Sequence, residues 1–179
     1  YPIFNVSWSD CQAFAAALTS LGRGTFRLPT EAEWEYACRA GSTTRFYFGN
    51  SLFCADECEN CDTAKGTIFI ERRLDFMWFC AGQNSAVHRP VATLFPNLFG
   101  LYDMHGNVSE WCQDSYHENY EGAPTDGSAW VSFESTRKAI RGGDSVDSAD
   151  ECRSASRSGA STNPFIGDRY IGLRVVRVQ

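Results

Sequence analysis

Two periodicities run along this chain, and the first is helical. Ser7 suits a helix N-cap with Asp10 at the third helical position, and Cys11, Phe14, Ala15, Leu18 and Leu21 follow at helical spacing until Gly22. Phe26-Arg27-Leu28 reads as a short strand ended by Pro29. Thr30 with Glu33 then forms a second capping box ahead of Trp34, Ala37 and Cys38, with Gly41 just past the end. From Gly41 to about Asn97 no period survives, and a loop of that length in a compact domain is functional or cross-linked. Beyond it, Phe99–Met104 and Val108–Cys112 read as two strand-like pieces around a Gly106-Asn107 turn, which predicts a hairpin. Ala139–Arg141, Arg153–Ala155 and Leu173–Val178 complete the strand candidates, the last with β-branched alternation. The expected fold class is therefore α+β, with two early helices, short late strands and much irregular loop.

Composition narrows the function classes. The 179 residues are 43% apolar and 14% aromatic, which suits one domain with a substantial core. No apolar run approaches the roughly 20 residues of a membrane span. Sixteen Lys and Arg against 22 Asp and Glu give a net charge of −6 without a basic run, which argues against nucleic acid as a partner. The first residues, Tyr1 to Val6, lack the charged start and long apolar stretch of a signal peptide and have no initiator Met, as in a chain cut from something longer. Eight cysteines leave the compartment open, because a chain this long folds without disulfides.

The usual catalytic signatures are missing: there is no G-x-S-x-G, no phosphate loop, no dinucleotide glycine fingerprint and no H-E-x-x-H. His88, His105 and His117 lack metal-ligand spacing and read as surface or turn residues. Cys54, Cys58 and Cys61, spaced C-x3-C-x2-C and followed by Cys80, would suit four thiolates around zinc, and disulfides among the same four are an equal alternative. The Asp103–Glu110 turn places two carboxylates seven residues apart and could offer oxygens to calcium. Asp and Asn also simply favour turns, and Glu110 could instead pair with an arginine.

Several blocks are specific enough to name a family: Asn5-Val6-Ser7-Trp8, Phe26–Ala37 (F-R-L-P-T-E-A-E-W-E-Y-A), Phe99–Trp111 (F-G-L-Y-D-M-H-G-N-V-S-E-W), Arg141-Gly142-Gly143 and Gly172-Leu173-Arg174-Val175. In this order they resemble the sulfatase-modifying-factor family, that of the formylglycine-generating enzyme. The resemblance covers nearly the whole chain and implies a single domain, residues 1–179, with a C-type-lectin-like fold. It lacks the family's opening segment before Tyr1. It also implies that Asp103, the carbonyls of Gly106 and Val108, and Glu110 are the calcium ligands. Oxidising members use two cysteines shortly after the Gly-Gly to bind copper and activate oxygen. Here Asp144 to Glu151 follows Gly143 and leads to one cysteine, Cys152, so no copper is expected and formylglycine formation is not the expected activity.

The C-terminal segment resembles, in addition, the variable proteins of diversity-generating retroelements, whose adenine-randomised codons cannot reach Glu, Lys, Gln, Trp or Met. Between Asp144 and Ile171 only Glu151 belongs to that group, where ordinary composition gives about five or six. On this resemblance residues 141–176 form a candidate variable region. The expected ligand-binding positions are Ser145, Val146, Asp147, Ser148, Asp150, Ser156, Ser158, Thr162, Asn163, Phe165, Ile166, Asp168, Tyr170 and Ile171, a mixture of apolar and hydrogen-bonding groups like that of an antibody paratope. The expected function is thus non-enzymatic binding of an undefined ligand, a protein or cell-surface molecule. The alternative is an oxygen-dependent oxidase of the formylglycine-generating type or a related enzyme.

Overall fold

The protein is described by a computed structural model over residues 1–50, 73–80, 88–163 and 169–178. The elements run α1 (Trp8–Ser20), β1 (Thr25–Arg27), α2 (Glu31–Arg39), a 3-10 turn (Arg73–Asp75), β2 (Ser109–Ser115), β3 (Arg137–Arg141), β4 (Ser158–Ser161), β5 (Ile171–Gly172) and β6 (Val176–Val178). They gather into two compact units. A sheet unit holds Ile3–Trp34, Ser109–Arg141 and Arg157–Gln179, and a loop unit holds Tyr1–Pro2, Glu35–Val108 and Gly142–Ser156.

In the sheet unit, β2, β3, β4 and β5 form a sheet of order β4-β3-β2-β5, with β3 antiparallel to both neighbours and β5 parallel to β2. β1 and β6 pair antiparallel beside α1. Both helix starts are the expected capping boxes: the Ser7 hydroxyl accepts from Asp10 N–H at 3.1 Å, and the Thr30 hydroxyl from Glu33 N–H at 3.1 Å. Glu33 returns a carboxylate oxygen to Thr30 N–H and forks onto Arg27, and these contacts hold its pKa below the ordinary value. The core is Cys11, Leu28, Trp111 and Ile171 with Val6, Trp8, Ile140, Ala160 and Leu173 against it. Each such large apolar side chain contributes about 1.5–3 kcal/mol on burial. Of the α1 stripe only Cys11 and Ala15 are buried, while Phe14 and Leu21 are exposed.

The loop unit packs Phe46, Met77, Phe79, Cys80, Ala149 and Cys152, with Phe48 against them. The predicted hairpin does not form. Residues 99–104 are not a strand, because Asn97 folds them into a turn: its Oδ1 accepts from Phe99 and Leu101 N–H, both at 3.0 Å, and its amide donates to the Ala37 and Cys38 carbonyls at the end of α2. Gly106 serves long-range contacts instead of a hairpin bend. At φ +78° it bridges Trp78, and a Cβ there would lie 1.9 Å from the Trp78 carbonyl oxygen. Arg153–Ala155 is likewise not a strand, since Arg153 N–H turns back to Asp150 and Ser154 N–H crosses to Arg45.

Candidate functional site

The site is assembled in the loop unit around Asn107, whose backbone and side chain cross-link four segments. Gly106 N–H donates to Gly142 at 2.8 Å, Asn107 N–H to Trp78 at 2.8 Å, and Ser145 N–H to the Asn107 carbonyl at 3.2 Å. The Asn107 side chain meanwhile accepts from Arg89 N–H at 3.0 Å and donates to the Arg89 carbonyl at 3.2 Å. The Arg89 guanidinium lies over the Trp78 ring, 5.3 Å from its centroid. Two hydrogen-bonding groups joined through this Asn107 backbone have no partner: the Trp78 indole N–H and the Ser145 hydroxyl are both buried and unsatisfied. Such groups cost about 1–3 kcal/mol each when left unpaired and are uncommon in folded proteins.

His105 pins the same region from below. Its ring is fully buried, with Nδ1 2.7 Å from the Cys152 carbonyl and Nε2 accepting from Tyr47 N–H at 3.2 Å, so the neutral tautomer carries its proton on Nδ1. Tyr47 stacks on the ring and Phe46 and Phe48 meet it edge-on. Burial drives its pKa down to about 4 against the opposing pull of the Cys152 carbonyl. The expected surface or turn role for His105 is thereby corrected. His88 is also buried, 9% exposed.

The Gly142–Ser156 loop closes over Cys152. The thiol is completely buried, 3.8 Å from the Asp144 carbonyl, and a Cβ on Gly143 would come within 2.6 Å of its sulfur. Desolvation first, then Asp147, Asp144 and Glu151, push the thiol well above its ordinary pKa. A copper centre of the family's kind does not fit: it requires two accessible thiolates, and this loop supplies one buried, protonated thiol. Glu151, the residue outside the variable codon set, caps the turn by accepting from Ser148 N–H at 3.0 Å and from its hydroxyl.

The expected ligand-binding positions divide between the units. In the loop unit Val146, Asp147, Ser148, Asp150 and Ser156 are half-exposed, and Ser145 is 4% exposed. Asp150 pairs with Arg45 and Arg153. In the sheet unit Ser158 and Asn163 are exposed, and Thr162 and Tyr170 half-exposed. Ile171 is a correction: it is 1% exposed and packs in the sheet-unit core, so it is structural. Phe165, Ile166 and Asp168 lie outside the described residues.

The calcium positions fall in both units, Asp103, Gly106 and Val108 in the loop unit and Glu110 in the sheet unit. Asp103 spends one carboxylate oxygen on Ala92 N–H at 2.8 Å. Val108 is buried. Glu110, 5% exposed, is forked by Arg174 at 2.8 Å to each oxygen and bonded by the Trp34 indole N–H at 2.8 Å, so a guanidinium already neutralises it. That donor does not fit a second cation. Among the described residues no three His, Cys, Asp or Glu side chains gather where a metal ion could be held. Cys54, Cys58 and Cys61 lie outside the described residues; Cys80 is disulfide-bonded. Cys11, Cys38, Cys112 and Cys152 are free thiols. No helix among the described residues is long and apolar enough to cross a membrane.

Residues 1–179 match the sulfatase-modifying factor enzyme 1-like domain. The chain belongs to this family. It is 37% identical over 116 residues to a formylglycine-generating enzyme of Thermomonospora curvata, covering 64% of this chain and 33% of that protein. The chain therefore spans about a third of that curated relative. Among solved structures, PvdO from Pseudomonas aeruginosa superposes with a TM-score of 0.80 at 35% identity, covering 98% of this chain and 61% of that one. Treponema denticola variable protein 1 does so at 0.62 and 31% identity, covering 85% and 47%. The fold is that of the formylglycine-generating type, C-type-lectin-like, with two helices, short strands and much loop. Sequence reasoning had no signal for Trp78, because its role arises from contacts to Gly106 and Asn107 far along the chain.

Proposed function

We propose that this family member binds a ligand at the Asn107 junction of its loop unit and does not run two-thiolate oxygen chemistry. The observation that carries this is the pair of buried, unpartnered groups, Trp78 N–H and Ser145 O–H, joined through one backbone. A donor-only indole asks for a hydrogen-bond acceptor, and the Ser145 hydroxyl can give or take a bond, so a ligand carrying a carbonyl, carboxyl or hydroxyl group suits them. Groups kept unsatisfied in the free protein lower its stability in exchange for binding. Ser145→Ala is accordingly expected to raise the unfolding free energy by about 1 kcal/mol. A Ser145→Ala protein that loses stability in urea titration would show that the hydroxyl is already satisfied, and would end this reading.

A second reading is favoured by the similarity to formylglycine-generating enzymes: the domain works as an oxidase or related enzyme in a form that opens the Cys152 loop. Its test is copper-dependent oxygen consumption with a cysteine-containing peptide, abolished by Cys152→Ser. Diversification of residues 141–176 is a further refinement of the binding reading. It predicts a near-copy of the encoding DNA that differs only at adenines and lies beside a reverse transcriptase gene.

A further inference from the structure

Arg89 stands at the Asn107 junction on a held backbone, and its charge is not used there. Its N–H donates to the Asn107 side-chain oxygen at 3.0 Å, and its carbonyl accepts from the Asn107 amide at 3.2 Å. The side chain lies over Trp78, whose own carbonyl accepts from Asn107 N–H at 2.8 Å, and the guanidinium carbon is 5.3 Å from the indole ring centroid. Arg89 and Trp78 are both half-buried. Elsewhere in the loop unit Arg39 pairs with Glu35, and Arg45 and Arg153 with Asp150. Among the described residues no carboxylate or carbonyl accepts from the Arg89 guanidinium. The acids flanking Ser145 turn onto their own loop instead: Asp144 accepts from Val146 N–H at 2.7 Å, and Asp147 from Asp144 N–H at 2.9 Å.

The chain holds 22 Asp and Glu for 16 Lys and Arg, so a shortage of acids does not explain an unpaired arginine. A half-buried cation without a counter-charge is costly to keep. A neutral carbonyl or hydroxyl ligand would satisfy the unpartnered Trp78 N–H and leave that charge uncompensated, whereas a carboxylate answers both. The planar guanidinium fork also matches the two oxygens of a carboxylate, and charge-assisted bonds of this kind are about twice as strong as neutral ones. We propose that the ligand group recognised at the Asn107 junction is a carboxylate, taken by the Arg89 fork with the Trp78 indole N–H as a further donor. This rests on the binding reading above and narrows its ligand class. The indole under the guanidinium keeps water from one of its faces and so strengthens the pairing.

The test follows the Trp78 indole N–H resonance, assigned by its loss in Trp78→Phe, in proton–nitrogen correlation spectra of the full-length polypeptide. N-acetylglycine, N-acetylglycinamide and sodium sulfate are titrated separately at neutral pH and fixed ionic strength. The expected result is a saturable shift with the acid and none with its amide. Arg89→Gln should weaken the acid at least ~10-fold, and Arg89→Lys, which keeps the charge but not the fork, should fall between. The Arg89 side chain makes no hydrogen bond that folding depends on, and an unmoved melting transition in both variants verifies that. Equal responses to acid and amide, unchanged in Arg89→Gln, would overturn the carboxylate and leave the binding reading standing. A response to sulfate as strong as to the acid would overturn it too, the seat then taking oxyanions at large. Silence with all three would overturn the assignment, and the binding reading would then stand or fall on Ser145→Ala.

Discussion

His105 makes stability fall on mild acidification, and the size of the fall follows from its surroundings. In the folded chain the ring is neutral, its pKa lowered from 6.5 to about 4 by complete burial. The unfolded chain binds a proton near 6.5, so the unfolded state holds more protons throughout the window between the two values. Stability is whole above pH 6.5 and declines as pH falls toward 4, by about 3 kcal/mol in all. Between pH 7 and pH 5 the decline is about 2 kcal/mol, before carboxylates such as Glu33 add losses of the same sign. Urea unfolding followed by tryptophan fluorescence at half-unit steps of pH reads this directly. His105→Gln retains a donor for the Cys152 carbonyl and an acceptor for Tyr47 N–H but cannot be protonated. It should start less stable, from lost packing against Phe46, Tyr47 and Phe48, and then show a nearly flat profile from pH 7 to 5. If wild type and His105→Gln lose equal stability over that range, the buried neutral imidazole is not the cause, and the account of the loop-unit core built on it fails.

Three further outcomes are expected. Arg174→Ala removes the fork on a carboxylate that is 5% exposed, leaving Glu110 with Trp34 alone, and should cost about 3 kcal/mol in urea titration, discounted slightly because Arg174 is partly exposed. In the intact protein calcium should leave the melting transition unmoved, and a clear upward shift removed by chelation would show that Arg174 yields Glu110 to the metal. Cys152 should react with iodoacetamide only as fast as the loop unit opens, slowing with stabilising conditions. Rapid labelling in the native state would contradict its burial.

Local chemistry was legible in the sequence, and long-range chemistry was not. Both helices announce themselves because a capping box is written in four consecutive residues, Ser7 to Asp10 and Thr30 to Glu33. β4 gives no such sign: Ser158-Gly159-Ala160-Ser161 has little strand preference and is a strand because β3 supplies the ladder. The family blocks led to the fold, but the blocks mislead when read as isolated secondary structure. Phe99–Met104 reads like a strand, yet Asn97 bends it, leaving Phe99 and Tyr102 exposed while Met104 is buried. His105 looked like a turn residue because its four neighbours, Tyr47, Phe46, Phe48 and Cys152, are more than forty positions away.

The single cysteine after Gly143 acquires its meaning from this same distinction. Its number could be counted in the sequence, but its chemistry depends on what surrounds it. A metal-binding or nucleophilic thiol needs a neighbourhood that favours the thiolate, through positive charge, a helix N-terminus or water. Among the described residues Cys152 has none of these: it packs with Phe46, Met77, Phe79 and Ala149, and the charges that act on it are the carboxylates of Asp147, Asp144 and Glu151. Gly143 fits against the sulfur so closely that side chain and turn constrain each other, and any side chain at 143 would have to displace one or the other. The residue therefore acts as a core plug that sets the path of the Gly142–Ser156 loop, and through Ser145 it fixes one wall of the Asn107 junction. Oxidase chemistry in this chain would first have to dismantle the packing that builds the candidate binding site.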